Sequence, residues 1–527
     1  MARRRYSAEQ AWQRILDLAD DDSGDESGRE SALEDEQDIE ESVVSSSEDE
    51  DQHDDGQPGK VEGRDNTKWR VVRDQNVRRP GRTAQHNVFN ERVGVTRICQ
   101  TIENPLDAFR LIFDRWCLLH IVNCTQQFAR RIGNENWKFD EEDLEKFIGL
   151  LYLRGINNQK NFPFNDLWSK TVGCPAFNKT MSRNRAREIK RYLRFDNRED
   201  RRRNLDNDKF ALISPILKRF VENGQKCYRP GPCLTIDEQL FPTKARCRFT
   251  QYMPNKPDKF DIKFWLLADV DTKYCFNIIP YLGRDETRVE SLGTHVVMLL
   301  TEPLQNKGYS VTTDNFFTSK HLAELLLQKR TTITGTMRNN RRELPPLQPL
   351  ELHNSIFFEC DAMHLTMYQA KKNKTVCILS SQHRGSTCQP DGKKKPETVL
   401  FYNNTKFGVD MLDSMCRQFS TKSGCRRWPL AVFYNILDLA AVNSWIIYKK
   451  QTGSGISRRK FLFELSKQLR RDDDQEARND ALPMTLDRRV TCAIHDKCEK
   501  NRTVNLCRKC KKPVCGKCQA IVCVKCF

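Results

Sequence analysis

Cys233-Leu234-Thr235-Ile236-Asp237-Glu238-Gln239-Leu240 decides the fold. A short apolar, partly β-branched run that meets a carboxylate predicts a buried strand ending at Asp237. The arrangement recurs where Tyr309-Ser310-Val311-Thr312-Thr313 runs into Asp314-Asn315-Phe316-Phe317-Thr318-Ser319. A third segment, Gly408-Val409-Asp410-Met411-Leu412-Asp413, reads as a helix through Phe419. It places Asp410 and Asp413 three residues apart on one face. Carboxylates from two strand ends and a helix can converge on a pair of magnesium ions, which take oxygen ligands and serve in-line phosphoryl displacement. On spacing alone a strand-end aspartate is more often a turn or cap residue, and Asp269 and Asp271 in LLADVDTKY read that way.

Longer motifs surround these carboxylates. LTIDEQLFPTKARCRFTQYMPNKPDKFDIKFWLLADVDTKY, TTDNFFTS, GTMRNNRREL, YNNTKFGVDMLDSMCRQF and RRWPLAVFYNILDLAAVNSWIIYKK follow one another in the chain. From about Asn104 to the C-terminus they resemble the piggyBac family of DDE/D transposases. The resemblance implies an α/β, ribonuclease-H-like catalytic core with an inserted subdomain, flanked by helices. It implies that Asp237, Asp314 and Asp410 are catalytic and hold Mg²⁺, with Mn²⁺ a substitute, and that Asp413 is a further acidic position. It also implies cleavage of transposon ends through hairpin intermediates, integration at TTAA, and a homodimer. Double-stranded DNA with terminal inverted repeats is then the partner. A domesticated derivative that binds DNA or regulates chromatin without transposing is the alternative, and the intact acidic set favours the enzyme.

Charge agrees with a DNA partner. The net charge of +17 conceals a head, residues 1–65, with 7 Lys/Arg against 22 Asp/Glu, so the rest carries a net +32. A basic body of several hundred residues suits a long phosphate track better than a membrane surface. No run approaches eighteen apolar residues without charge, and the N-terminus lacks a signal-peptide core. An intracellular, nuclear protein with no membrane partner is expected, with Arg458-Arg459-Lys460 and Arg470-Arg471 as candidate import signals. No P-loop or GxSxG pattern suggests a motor or a serine hydrolase.

The acidic head cannot bury enough apolar surface to fold and is expected to be disordered through residue 65. Ser45, Ser46 and Ser47 precede an acidic run and suit an acidophilic kinase. Tail and basic linker together span 1–100. A helical dimerisation and DNA-binding domain follows at 101–230, where Asn104 caps, Pro105 starts, and Leu106, Phe109, Ile112, Phe113 and Trp116 form a stripe. Helices are also expected over Glu141 to Leu153, Met181 to Phe195 and Leu212 to Val221. The second is cationic, through Arg183, Arg185, Arg187, Lys190, Arg191 and Arg194, and is either a solvated face or a phosphate contact. The core is expected at 231–341, with a hairpin around Asp269 to Lys273. An insertion subdomain covers 342–397, the third carboxylate helix 398–420, and a helical return 421–485. Candidate DNA contacts beside the carboxylates are Lys256, Lys259 and Lys263, and Arg338, Asn340, Arg341 and Arg342.

The tail, 490–527, holds 8 of the 21 cysteines. Cys492-x2-His495, Cys507-x2-Cys510, Cys515-x2-Cys518 and Cys523-x2-Cys526 supply ligands for two tetrahedral Zn²⁺ ions in a segment too short for a hydrophobic core. Cys498 can replace Cys492 or His495. The resemblance implies a cross-brace, joining the first pair to the third and the second to the fourth, that recognises transposon ends. Lys509, Lys511 and Lys512 are the basic residues expected to contact DNA there. A ubiquitin-ligase RING is the rival, but the short gaps around the third pair leave little room for its recruiting helix.

Overall fold

The computed structural model describes residues 60–72, 88–204, 208–252, 260–283, 289–346, 349–390, 392–472, 485–494, 498, 500–507 and 512–518. The acidic head through residue 59, with its serine run, lies outside them, as do Lys256, Lys259, His495, Lys509, Cys510, Lys511, Cys523 and Cys526.

The strand around Asp237, β5 (Cys233–Pro242), runs past the carboxylate and does not end there. The reason is its antiparallel neighbour β7 (Phe260–Asp269), which pairs with β5 from Leu234↔Asp269 to Pro242↔Asp261. On the other side β9 (Ser310–Thr313) is parallel and stops earlier, at Ile236↔Thr313. β10 (Thr332–Met337) continues the parallel pairing beyond β9. β6 (Thr250–Tyr252) and β8 (Cys275–Pro280) share the far side of β7. The β7–β8 hairpin turns where expected, and Asp269 is a turn residue, accepting from the amides of Asp271 and Gly231.

The insertion does not stand apart. β11 (Ser355–Cys360), β12 (Met363–Lys371) and β13 (Lys374–Ser380) form an antiparallel meander whose last strand pairs with β10. The sheet therefore runs on without a break. Its far edge corrects the expected disorder through residue 65: β1 (Lys60–Glu62) and β2 (Lys68–Val71) form a hairpin, and β2 pairs with β11. Trp69 explains the anchoring, since it is fully buried and its indole N–H donates to the Glu343 carbonyl at 2.7 Å. A small ladder, β3 (Gly94–Val95) with β4 (Tyr228–Arg229), ties the helical region to the start of the core.

The helices of the first region are α1 (Pro105–Ile112), α2 (Arg115–Arg131), α3 (Glu141–Ile156), α4 (Pro175–Thr180), α5 (Arg183–Tyr192), α6 (Arg198–Asn204) and α7 (Ser214–Cys227). Asn104 makes the capping box with Asp107. Phe113 keeps the expected stripe, but the helix ends at Ile112, because Asp114 caps a new helix through the Cys117 amide and pairs with Arg219 at 2.6 Å. Trp116 thus falls on an exposed face. The cationic α5 is largely spoken for: Arg185 pairs with Asp143, Arg187 reaches Asn165 and Lys190 reaches the Gly424 carbonyl, and Arg194, just beyond the helix, lies 3.5 Å from the Phe128 ring centre. These contacts favour a structural role over phosphate contact.

The core region adds α8 (Leu292–Thr301), α9 (Lys320–Gln328), α10 (Glu397–Thr405) and α11 (Gly408–Gln418). The chain then returns through α12 (Trp428–Thr452), which packs on α1, and α13 (Arg458–Arg470), which packs on α3. By length and composition α12 is apolar enough to cross a membrane, yet here protein covers nearly all of it. Two of its buried polar side chains are fully paired, as burial demands. Asn443 exchanges hydrogen bonds with the Cys275 backbone, and Asp438 accepts from Ser420 and Thr421. Of the residues read as import signals, Arg458 and Arg470 are buried, donating to Gln418 and to Asp472, while Arg459 and Lys460 are exposed.

Candidate active site and cysteine cluster

The register places the first two carboxylates. Ile236 faces Thr313 in the parallel pair, so the next residues, Asp237 and Asp314, lie side by side where β9 ends. Asp314 leaves the strand in a turn that its own carboxylate closes, accepting from the Phe316 amide at 3.0 Å. Asp410 comes from the first turn of α11 and is exposed. Three buried threonines hold that helix. Thr405, at the end of α10, accepts at its carbonyl from the Thr235 hydroxyl, and its hydroxyl accepts from Thr312 at 2.7 Å. One residue pair, Thr235 on β5 and Thr312 on β9, thus positions the segment that delivers Asp410.

The carboxylates lie within electrostatic reach of one another. Burial pushes the Asp237 carboxyl up to about 7, and repulsion from Asp314, Asp410 and Glu238 adds to it. Asp314 is raised by burial, opposed by the amides of Phe316 and Phe317, with Glu238 raising it and Arg338 lowering it. Tyr402, on α10, was not singled out from the sequence. It is raised by burial and by the charges of Asp314, Asp237 and Asp410, against its hydroxyl contact with Thr336 at 3.4 Å. Neighbouring carboxylates that repel one another are hard oxygen donors, a set whose chemistry suits a divalent cation.

Asp413 has other partners. It accepts from Gln239 at 2.9 Å and pairs with Arg417 at 2.6 Å. Gln239 in turn accepts from Asn435 at 2.8 Å, and Arg417 donates to the Leu240 carbonyl. Asp413 therefore joins α11 to β5 and to the central α12.

The expected DNA contacts divide. Lys263 is not free: it forms an ion pair with Glu238 and lies 4.0 Å from the Trp265 ring centre. Arg338 donates to Asn315 at 3.3 Å and Arg341 to the Thr318 carbonyl at 3.0 Å, so both brace the Asp314 turn. With Asn340, Phe316 and Ser291 they line an open recess of about 310 Å³. Arg342 and Lys512 are exposed.

In the tail, β14 (Thr485–Thr491) and β15 (Arg502–Asn505) form a hairpin. Beyond it Cys492, Cys498, Cys515 and Cys518 converge, their sulfurs within 4.8 Å of one another. Cys498 Sγ lies 3.5 Å from Cys515 Sγ, and the Cys515 amide donates to Cys492 Sγ at 3.4 Å. The first and third ligand groups do meet, with Cys498 beside Cys492 in the place expected for His495. Four thiols in this arrangement are compatible with a tetrahedral zinc ion. Cys507 is buried and lies outside the four.

Residues 104–445 match the family model described as Transposase IS4, so the class is transposase. The chain belongs to the piggyBac-type transposases of that family. A solved structure of a piggyBac transposase synaptic complex with hairpin DNA superposes with a TM-score of 0.71 at 31% identity, covering 83% of this chain and 100% of that one. The human PiggyBac transposable element-derived protein 2 is 25% identical over 374 residues, 66% of this chain. Human PiggyBac transposable element-derived protein 3 is 25% identical over 272 residues, 47% of this chain. The chain spans 62% of the length of the first human relative and 45% of the second.

Proposed function

We propose that the chain is a cut-and-paste DNA transposase whose core is ribonuclease-H-like. It acts in the nucleus as a homodimer, cleaves transposon ends through hairpin intermediates and integrates at TTAA. The observation that carries this reading is that parallel strands bring Asp237 beside Asp314, with Asp410 near enough to raise Asp237, inside the family match. Asp237, Asp314 and Asp410 would hold two Mg²⁺ ions, with Mn²⁺ as substitute. Bound there, the metal supplies water activation and stabilisation of the leaving oxygen. The chain's own residues set the geometry. The threonine trio fixes α11 against β5 and β9, Arg338 and Arg341 brace the Asp314 turn beside the DNA path, and Asp413 anchors the helix through Gln239. Hydrolysis of one phosphodiester frees a 3′-hydroxyl at the transposon end; that hydroxyl attacks a phosphodiester of the opposite strand, forming the hairpin bond as the P–O3′ bond to the flanking DNA breaks and its 3′-hydroxyl leaves. In the tail, Cys492, Cys498, Cys515 and Cys518 would hold one zinc ion, and Cys507, Cys510, Cys523 and Cys526 a second, giving a module that recognises the ends.

The test is cleavage of labelled linear DNA carrying the inverted repeats of the source locus, with magnesium, by the intact chain and by Asp314→Asn. Metal-dependent nicks and hairpins lost in the variant support the enzyme. Tight binding by both without cleavage supports the second reading, a domesticated DNA-binding protein, which the likeness to two human transposable element-derived proteins motivates.

A further inference from the structure

Helix α11 buries one side and leaves another bare. Val409, Leu412 and Cys416 are buried against the core, whereas Phe407, just before the first turn, is 48% exposed and Met411, one turn on, is 49% exposed. Asp410 lies between them in sequence. Residues three or four apart on a helix have Cβ atoms about 5–6 Å apart, so this apolar pair flanks the carboxylate closely. Lys406 completes the patch, its ammonium 4.7 Å from the Phe407 ring centre and 5.4 Å from that of Tyr402.

We propose that Phe407 and Met411 form a stacking surface for an unpaired base of the DNA strand engaged at Asp237, Asp314 and Asp410, with Lys406 against the adjoining phosphate. The inference rests on the transposase reading and names how that site takes its strand. An aromatic ring and a thioether cover the face of a base, and a base shows its face only when it leaves the stack, since a paired one offers only its edges in the grooves. Apolar side chains inserted beside basic ones are how proteins hold DNA in a kinked or opened form. The charges agree: a lysine beside an exposed ring matches a nucleotide, which carries an anion next to a π-face. Two side chains are far too small an area for a protein partner.

The test uses the full chain and two probes at one fixed salt concentration: a DNA hairpin with 2-aminopurine in a four-base loop, and a blunt duplex of the same stem. The parent should bind the hairpin more tightly than the duplex and change the fluorescence of the probe base. Phe407→Ala should cut that preference about tenfold, while Phe407→Trp keeps it. Absence of any preference in the parent, or a preference that survives in Phe407→Ala/Met411→Ala, overturns the inference. The Asp314→Asn cleavage test separates the two readings. A chain that does not cleave but shows Phe407-dependent preference keeps the stacking surface and loses the enzyme, and cleavage with Phe407-independent binding does the reverse.

Discussion

Gly408→Ala should misplace Asp410 without touching a carboxylate. A Cβ at position 408 would sit 2.8 Å from Thr235 Oγ1 and 3.0 Å from Thr235 Cβ. Thr235 cannot swing aside cheaply, because it is buried in β5 and its hydroxyl donates to the Thr405 carbonyl. The helix must therefore give way by roughly half an ångström to regain an ordinary contact of about 3.5 Å. Asp410, two residues on, rides with it, while Asp237 and Asp314 stay on their strands. Misplacement of about 1 Å costs on the order of a hundredfold in rate, so roughly tenfold is expected here. Overpacking should also destabilise the protein by about 1–3 kcal/mol. The assay is single-turnover cleavage of labelled end DNA at saturating protein, with thermal melting alongside. Gly424→Ala serves as the control, since a Cβ there meets nothing within 4 Å. A Gly408→Ala chain that cleaves and melts like the parent would refute the view that close packing of α11 on β5 sets the site.

Two further outcomes follow from the tail and from the inserted strands. Cys498→Ser should release one zinc ion per chain, measured by metal analysis of the purified protein, whereas His495→Asn should leave the ion at Cys492, Cys515 and Cys518 in place. Full zinc content in Cys498→Ser would return the fourth position to His495. His364, on β12, is 1% exposed, and neither ring nitrogen has a hydrogen-bond partner among the described residues. Burial pushes it down to about 4, against the attraction of Glu359 and with repulsion from His383. Its folded value lies below the ordinary 6.5 of the unfolded chain, so the unfolded state takes up the proton first. Stability is therefore complete above about pH 6.5 and lost as pH falls towards 4, by about 3 kcal/mol in all. His364→Leu should flatten that part of the denaturant-midpoint profile, and an unchanged slope would count against the assignment.

The strands that carry the chain to Asp237 and Asp314 were legible in the sequence because each is a short, apolar, partly β-branched run, and the helix start at Asn104 was legible from local chemistry. What stayed hidden depends on pairing between distant segments. Nothing in Cys233–Leu240 says that its antiparallel partner outruns its parallel one, so Asp237 reads as a strand end when it lies mid-strand. Lys263 reads as a free cation until register sets it against Glu238. Lys60–Val71 reads as part of a solvated tail because its one strong anchor, Trp69, finds its pocket beside Glu343, far along the chain. Tyr402 carries no local signal at all, since only the fold brings it within electrostatic reach of three aspartates.

The same dependence on register explains why so much sheet surrounds so small a site. Side chains alternate faces along a strand, so a slip of one residue between β5 and β9 would send Asp237 and Asp314 to opposite faces. Thr312 and Thr235 guard against the slip, because both reach Thr405 only in the observed register. A slipped strand would leave two buried hydroxyls unpaired, at about 1–3 kcal/mol each. β9 has only four residues and little pairing of its own, so its position is inherited from β5 on one side and β10 on the other. β10 is in turn held by β13, with Thr334 and Ser380 hydroxyls 2.9 Å apart across the pair. The inserted strands thus act on the carboxylates through hydrogen-bonded neighbours. Weakening the β10–β13 seam should loosen Asp314 before it unfolds the helical regions, which share no strand with it.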